Sequence, residues 1–317
     1  MSNRNHKRDW DDFVRTAKNG TFLFYRDYMD YHSDRFEDHS LMIYSDDGNV
    51  VCLLPANKQG EVFTSHAGLT YGGFITDNKM TISKMGEVFN HTVQYLLKAG
   101  FAQLLYKTIP HIYHAMPAEE DLYWLFVNNA TLYRRDVWVS IEYNNQLLFQ
   151  KRRERSIKKA ISNGVIVEET QDYDQYWAIL EKNLQSKYNV APVHTVQEIR
   201  LLADRFPEEI KLVVAYQGTT LLAGTVLYLS HNVCHTQYLA SNEVGRAIGA
   251  LDLVLSHLIK DYRKSKEVFS FGAVTELNGR YLNAGLSEYK ESFGGRATVH
   301  NFYELDFKGK SNKQSEK

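Results

Sequence analysis

Residues 235–250 read His235-Thr236-Gln237-Tyr238-Leu239-Ala240-Ser241-Asn242-Glu243-Val244-Gly245-Arg246-Ala247-Ile248-Gly249-Ala250. The run 233–239 has the length and composition of a buried strand. The stripe Ile248, Leu251, Val254, Leu255, Leu258, Ile259 and Tyr262 repeats at threes and fours, the period of a helix with one apolar face. A strand that feeds a helix beginning near Arg246 presents unpaired backbone N–H groups and the positive end of a helix dipole at the sheet edge, where an anionic phosphate docks. Gly245 and Gly249 permit close backbone approach, and Arg246 adds a charge-assisted contact. The plainer reading of the same glycines is close packing of helix on sheet.

Working outward, strands are expected at 212–216 and 221–229 around the turn Gln217-Gly218-Thr219, and at 268–271 after the helix. The first half follows the same order. Runs 41–44 and 50–54 flank the turn Asp46-Asp47-Gly48-Asn49, and a third run covers 61–65. The glycine-bearing loop 67–73 precedes a helix opened by Thr81 and striped by Ile82, Met85, Phe89, Val93, Leu96 and Leu97. Gly100 stops it, and 101–106 reads as a buried strand. The repetition predicts a duplicated α/β domain of mixed sheet: 1–148, 149–307, and a polar tail 308–317. A basic segment, Lys151 to Ala160, opens the second copy as a helix; two further helices cover 172–188 and 195–206, the latter with a Thr195/Glu198 capping box.

Length and composition agree with two folded domains: 317 residues, 44% hydrophobic, 24% charged and only five prolines. Lys+Arg 37 against Asp+Glu 38 leaves a net charge of -1, so no overall field draws the chain to DNA or an anionic membrane. The apolar runs are about half or less of the ~20 residues a membrane helix needs, and the N-terminus carries no apolar signal core. A cytoplasmic protein without stable membrane insertion is expected. Cys52 and Cys234 sit in strand-like runs and read as buried thiols. Phosphate-loop, dinucleotide, zinc-protease, serine-hydrolase and CxxC signatures are missing. The pairs His111/His114 and His231/His235 lack the carboxylates and third ligand of a metal site, so no metal is expected.

Arg246-Ala247-Ile248-Gly249-Ala250-Leu251 resembles the R/Q-x-x-G-x-G/A pyrophosphate loop of GNAT acyl-CoA N-acyltransferases, with Leu251 in place of the final small residue. Phe269-Ser270-Phe271-Gly272, Glu276, Gly279, 282–286 and 289–295, with Tyr71-Gly72-Gly73 and the basic helix 152–164, are similar to the tandem-GNAT, FemAB-like acyltransferases. That resemblance implies two GNAT-like domains, the first shaping the acceptor side and the second holding acetyl-CoA or another acyl-CoA. It also implies acyl transfer to an amine of a small molecule, an amino sugar or a cell-envelope precursor. Cofactor contacts would fall to Leu239, Gly245, Arg246, Ala247, Gly249, Ala250 and Asn283. A Fem-type peptidyltransferase using aminoacyl-tRNA is the alternative, with tRNA held by the basic helix, and an inactive tandem fold that only binds is a third.

The chemistry needs a group that takes a proton from the amine, donors for the tetrahedral oxyanion, and an acid for the leaving thiolate. Glu276 and His235 are the candidate bases, the former if burial raises its pKa. Tyr238 is a candidate acid, with Tyr281 and Tyr289 behind it, and the backbone N–H near Leu239 is the oxyanion donor. For the acceptor, Lys107 and His114 lie on one loop after a strand and suit a phosphate or carboxylate. Tyr71, Gly72 and Lys290 complete the expected substrate contacts, and the segment 192–195 around His194 is a further candidate whose plainer reading is a helix cap.

Overall fold

The computed structural model describes residues 3–307. The expected tail 308–317 lies outside the described residues. The chain forms two compact units. One runs to Asp136 and takes in Leu277–Arg280 and the chain from Val299; the other holds Val137–Glu276 and Tyr281–Thr298.

In the first unit, Thr81 caps the helix Ile82–Lys98 by accepting from the Lys84 N–H, and Gly100, at φ 83°, ends it. Its inward stripe, Met85, Val88, Phe89, Val93 and Leu96, packs with Phe63, Leu104, Tyr106 and Leu305. The expected hairpin forms from Leu41–Tyr44 and Val50–Leu54, but with Ile75–Thr76 it makes a separate three-stranded sheet. The larger sheet of this unit orders Glu37–Asp38, Asn57–Gln59, Val62–Thr64 and Gln103–Lys107, followed by the C-terminal strand through Phe302 to Asp306. Val62–Thr64 and Gln103–Lys107 are parallel, joined through the helix.

The second unit repeats that crossover. Val233–Ser241 leads through the short helix Glu243–Ile248 into Ala250–Tyr262 and then into Val268–Ala273, parallel to the first strand. Thr220–Leu229, Ile210–Gln217 and Ile166–Thr170 extend the sheet antiparallel on one side, and residues 138–142 pair antiparallel with Val268–Ala273 on the other. Val254, Leu255, Leu258 and Ile259 of the crossover helix join Leu222, Leu227, Cys234, Phe269 and Phe293 in the core. Both cysteines are buried, as expected, and burial pushes their thiols up. The Thr195/Glu198 capping box is present in full.

The sequence reading drew one line at 148/149, whereas the compact units change over at Asp136 and again before Val299. The reason is strand membership. Each parallel pair needs an antiparallel neighbour on its far side; the first unit obtains it from the C-terminus of the chain, the second from the strand Thr131–Glu142.

Candidate active site

The parallel pair in the second unit is short. Val233, Cys234 and His235 face Val268, Phe269 and Ser270, and the pairing then stops although the first strand continues to Ser241. Both strands carry a bulge where they part. Gln237 is the extra residue opposite Val226 and Leu227, and Phe271 with Gly272 spans the single residue between Trp138 and Ser140. A bulge bends its strand and increases the local twist, so the pair opens beyond His235 and Ser270.

Side chains replace the ladder at this point. His235 Nδ1 and Ser270 Oγ are hydrogen-bonded at 3.1 Å, and the Gly272 N–H donates to Ser270 Oγ at 3.3 Å. Lys290 Nζ donates to the carbonyls of Gly272 (3.2 Å) and Ala273 (2.8 Å). Gly272 sits at φ +71°, with the space of a Cβ 3.2 Å from His235 Cε1. Burial and then the nearby Lys290 charge push the His235 imidazole down to about 3, and burial pushes the Lys290 amine down to about 7. His235 is therefore corrected as a base: a ring that weakly basic, packed 5.3 Å from Trp138, does not take an ammonium proton at neutral pH.

Three residues further on, half-buried Tyr238 meets side chains that the sequence marks only faintly. Its hydroxyl is 2.6 Å from His194 Nδ1 and accepts from the His194 N–H at 3.3 Å, while the Trp177 ring stands edge-on at 5.3 Å. His194 is 4% exposed and precedes the capping Thr195. A phenol paired to a buried imidazole is a proton-transfer unit. Leu239 follows, half-buried.

The join after the strand differs from its expected form. The helix starts at Glu243 rather than near Arg246, because Asn242 caps it by accepting from the Gly245 N–H at 2.8 Å. It ends at Gly249, at φ 83°, and a new helix runs from Ala250. The N–H groups of Gly245, Arg246 and Gly249 are thus spent on Asn242 and Gly245. Gly245 serves close packing: a Cβ there would lie 2.5 Å from the Leu222 carbonyl oxygen. Arg246 is exposed, with its guanidinium resting on Ser241 O (2.5 Å) and Asn183 Oδ1 (3.2 Å). Lys159 Nζ reaches the Ala247 carbonyl at 2.9 Å, placing a second cation on the loop, and Ala250 is fully buried. At Gly249 a Cβ would lie 2.7 Å from the backbone oxygen of Ser156. Gly249→Ala is expected to cost about 2–4 kcal/mol, from left-handed strain and that contact together, read as a lower urea midpoint.

Glu276 is half-buried rather than sealed, and its Oε1 accepts from Asn283 Nδ2 at 2.7 Å. Asn283 is the cap of the helix Ala284–Glu291, its side chain accepting from the Leu286 N–H. Tyr289 donates to Asp252, which also pairs with Arg153 at 2.6 Å, so it braces the crossover helix.

The expected acceptor residues of the first unit are turned inward. Lys107 Nζ donates to the carbonyls of His66 (3.0 Å), Ala67 (3.1 Å) and Leu69 (2.5 Å), clamping the glycine-bearing loop, and burial with Arg134 lowers it to about 7. An ammonium with three carbonyls has no donor left for a substrate phosphate. His114 Nε2 is bound to Ile109 O, and burial lowers it to about 4. Tyr71 is 3% exposed, bonds Thr21 Oγ1 and packs on Tyr113, while a Cβ at Gly72 would lie 2.1 Å from Ser65 O. Tyr71 and Gly72 are corrected from substrate contacts to core residues. Among the described residues no cluster of His, Cys, Asp and Glu suited to a metal ion is found, and no helix is long and apolar enough to cross a membrane.

Residues 149–291 match the family described as acetyltransferase (GNAT) domain. No curated protein matches the chain. Among solved structures the chain is similar over nearly its whole length to FemX, at 10% identity and TM-score 0.68 with 98% of each chain covered. It is also similar to L-PGS from Bacillus licheniformis, at 10% identity and TM-score 0.62 with 96% of this chain and 92% of that one covered. A conserved protein of unknown function from Bacteroides thetaiotaomicron aligns at 10% identity and TM-score 0.60, covering 95% and 97%. The fold class is therefore the expected one, a mixed α/β architecture shared with these full-length structures. The stretch similar to the GNAT acetyltransferase domain lies mostly in the second unit, and the full-length structural similarity to FemX and L-PGS agrees in fold with the resemblance read from the sequence.

Proposed function

We propose that the chain is an N-acyltransferase that moves an acyl group, acetyl in the first instance, from acyl-CoA to the amine of a small molecule or amino-sugar precursor. The observation that carries this reading is the opening of the parallel pair beyond His235 and Ser270, inside the segment that matches the acetyltransferase family. Backbone groups fixed at a sheet edge are pre-positioned donors for an amide-bearing donor arm and a developing oxyanion.

In this mechanism the amine nitrogen attacks the thioester carbonyl, and the backbone N–H near Leu239 faces the oxyanion. Glu276, half-exposed and oriented by Asn283, takes the proton released from nitrogen. The C–S bond breaks as Tyr238 donates its phenolic proton to the thiolate, with His194 holding the phenol. Arg246, exposed on the short helix beside Lys159, binds the pyrophosphate. Incubation with acetyl-CoA and a panel of primary amines, amino sugars included, is expected to release free thiol with matching acylated amine; no release with any acyl-CoA would oppose the reading.

A second reading, aminoacyl transfer from tRNA, is favoured by one feature. Lys151, Arg155 and Lys158 lie exposed along one stripe of the helix Lys151–Ser162, a surface suited to a phosphate backbone. Binding of charged tRNA without acyl-CoA binding would select it.

A further inference from the structure

We propose that Lys290 is a positioning residue whose ammonium holds the sheet open, by occupying the strand carbonyls that would otherwise continue the parallel ladder. The proposal deepens the acyltransferase reading and rests on it for its functional consequence, although the opening itself is a property of the fold.

The pairing ends at His235 and Ser270. The bulges at Gln237 and at Phe271–Gly272 part the strands beyond that point. At Gly272 re-pairing is blocked, because both of its backbone groups are already taken: its N–H by Ser270 Oγ, its carbonyl by Lys290 Nζ. Lys290 also takes the carbonyl of Ala273, the next acceptor along. Backbone carbonyls are strong acceptors, and one left unpaired in a buried place costs free energy, so removing the lysine creates a demand for new donors. The nearest regular supply is the amide row of the facing strand.

The lysine is itself costly to keep. It is 4% exposed, and burial is the one influence that shifts its amine, with no carboxylate beside it to offset the cost. A buried ammonium bound only to carbonyls contributes little that an apolar side chain could not, which marks it as retained for geometry. It also lies on the helix Ala284–Glu291, whose cap Asn283 orients Glu276. One short helix thereby fixes both the mouth of the opening and the proposed base.

The test compares the full-length protein with Lys290→Met and Lys290→Ala by hydrogen exchange with peptide resolution, alongside titration with acetyl-CoA. Exchange across residues 236–239 is expected to slow at least tenfold in both variants while the rest of the second unit is unchanged. Acetyl-CoA affinity is expected to fall more than tenfold. Propylamine, which restores an ammonium to the space vacated in Lys290→Ala, is expected to return both readings toward the wild type. Unchanged exchange at 236–239, faster exchange throughout the unit, loss of the fold, or no response to propylamine would each overturn the proposal in favour of a purely structural role. If wild-type protein does not bind acetyl-CoA, the donor assignment fails, and the exchange result still decides the role of Lys290.

Discussion

Lowering the pH from 7 to 5 is expected to remove a large part of the folding stability, with a slope of about 4 kcal/mol per pH unit near pH 5. His66, His235 and His300 are 3%, 6% and 1% exposed, and burial above all pushes each imidazole down to about 3 and that of His114 down to about 4. The unfolded chain protonates all four near 6.5, so near pH 5 it binds about four more protons than the folded chain, and stability falls as the pH falls. Asp121 acts in the opposite sense. Burial raises its carboxyl to about 6, beside the Tyr106 hydroxyl, so the folded state holds one proton that the unfolded state has lost. The balance is about three protons, which sets the slope. Above neutrality, Lys107 and Lys290, both lowered to about 7, keep the sign the same, and stability continues to rise toward the ordinary lysine range. Urea midpoints measured at pH 7, 6 and 5 test this. A flat profile over that interval would contradict the burial of these rings, and His300→Gln should flatten the slope by roughly one proton's share.

Tyr238→Phe is expected to reduce kcat for acyl transfer by about 100-fold or more, with the KM for the acyl donor nearly unchanged. The hydroxyl lies 2.6 Å from His194 Nδ1, and its removal deletes the proposed donor of a proton to the thiolate without disturbing the ring's contact with Trp177. His194→Gln should cause a loss of the same order, and the double variant little more, because the two act as one unit. Steady-state kinetics with the best amine from the panel check this. Equal activity of Tyr238→Phe and wild type would remove Tyr238 from the mechanism, and a change confined to KM would make it a binding residue.

Much of this architecture is legible in the sequence because it is encoded locally. The Thr81 and Thr195 caps and the turn at 46–49 each fix an element through neighbouring residues, and each forms as read, while the threes-and-fours stripe from Ile248 to Tyr262 gives a helix that Gly249 breaks after Ile248. Strand exchange is not local. Nothing in the composition of 131–142 or 296–306 says that each serves a parallel pair formed elsewhere in the chain, so a linear division at 148/149 was the natural reading.

Legibility of the site divides in the same way. The segment 235–250 announces a strand, a loop and a helix, and Asn242 is a preferred capping residue, but a start near Arg246 passes over it and leaves free the Gly245 amide that Asn242 consumes. Lys107 and Lys290 read as free cations, because a sequence shows charge and not the carbonyls that surround it. Tyr71 reads as a loop residue, since only the packing of Tyr113 and Phe24 makes it core. His194 has a signal, a histidine just before a helix cap, but its partner lies 44 residues on and is found only when the sheet brings them together.

The central claim is that the short helix carrying Arg246 receives the phosphates of an acyl-CoA. Isothermal titration of the full-length protein with acetyl-CoA, repeated on Arg246→Glu, addresses it most directly. Arg246 is exposed and forms no ion pair, only hydrogen bonds to the Ser241 carbonyl and Asn183, so the variant is expected to fold with a melting temperature lowered by a few degrees at most. The account predicts saturable binding by the wild type and a loss of at least tenfold in affinity on charge reversal. No binding of any acyl-CoA by the wild type, or equal binding by the two proteins, would contradict it.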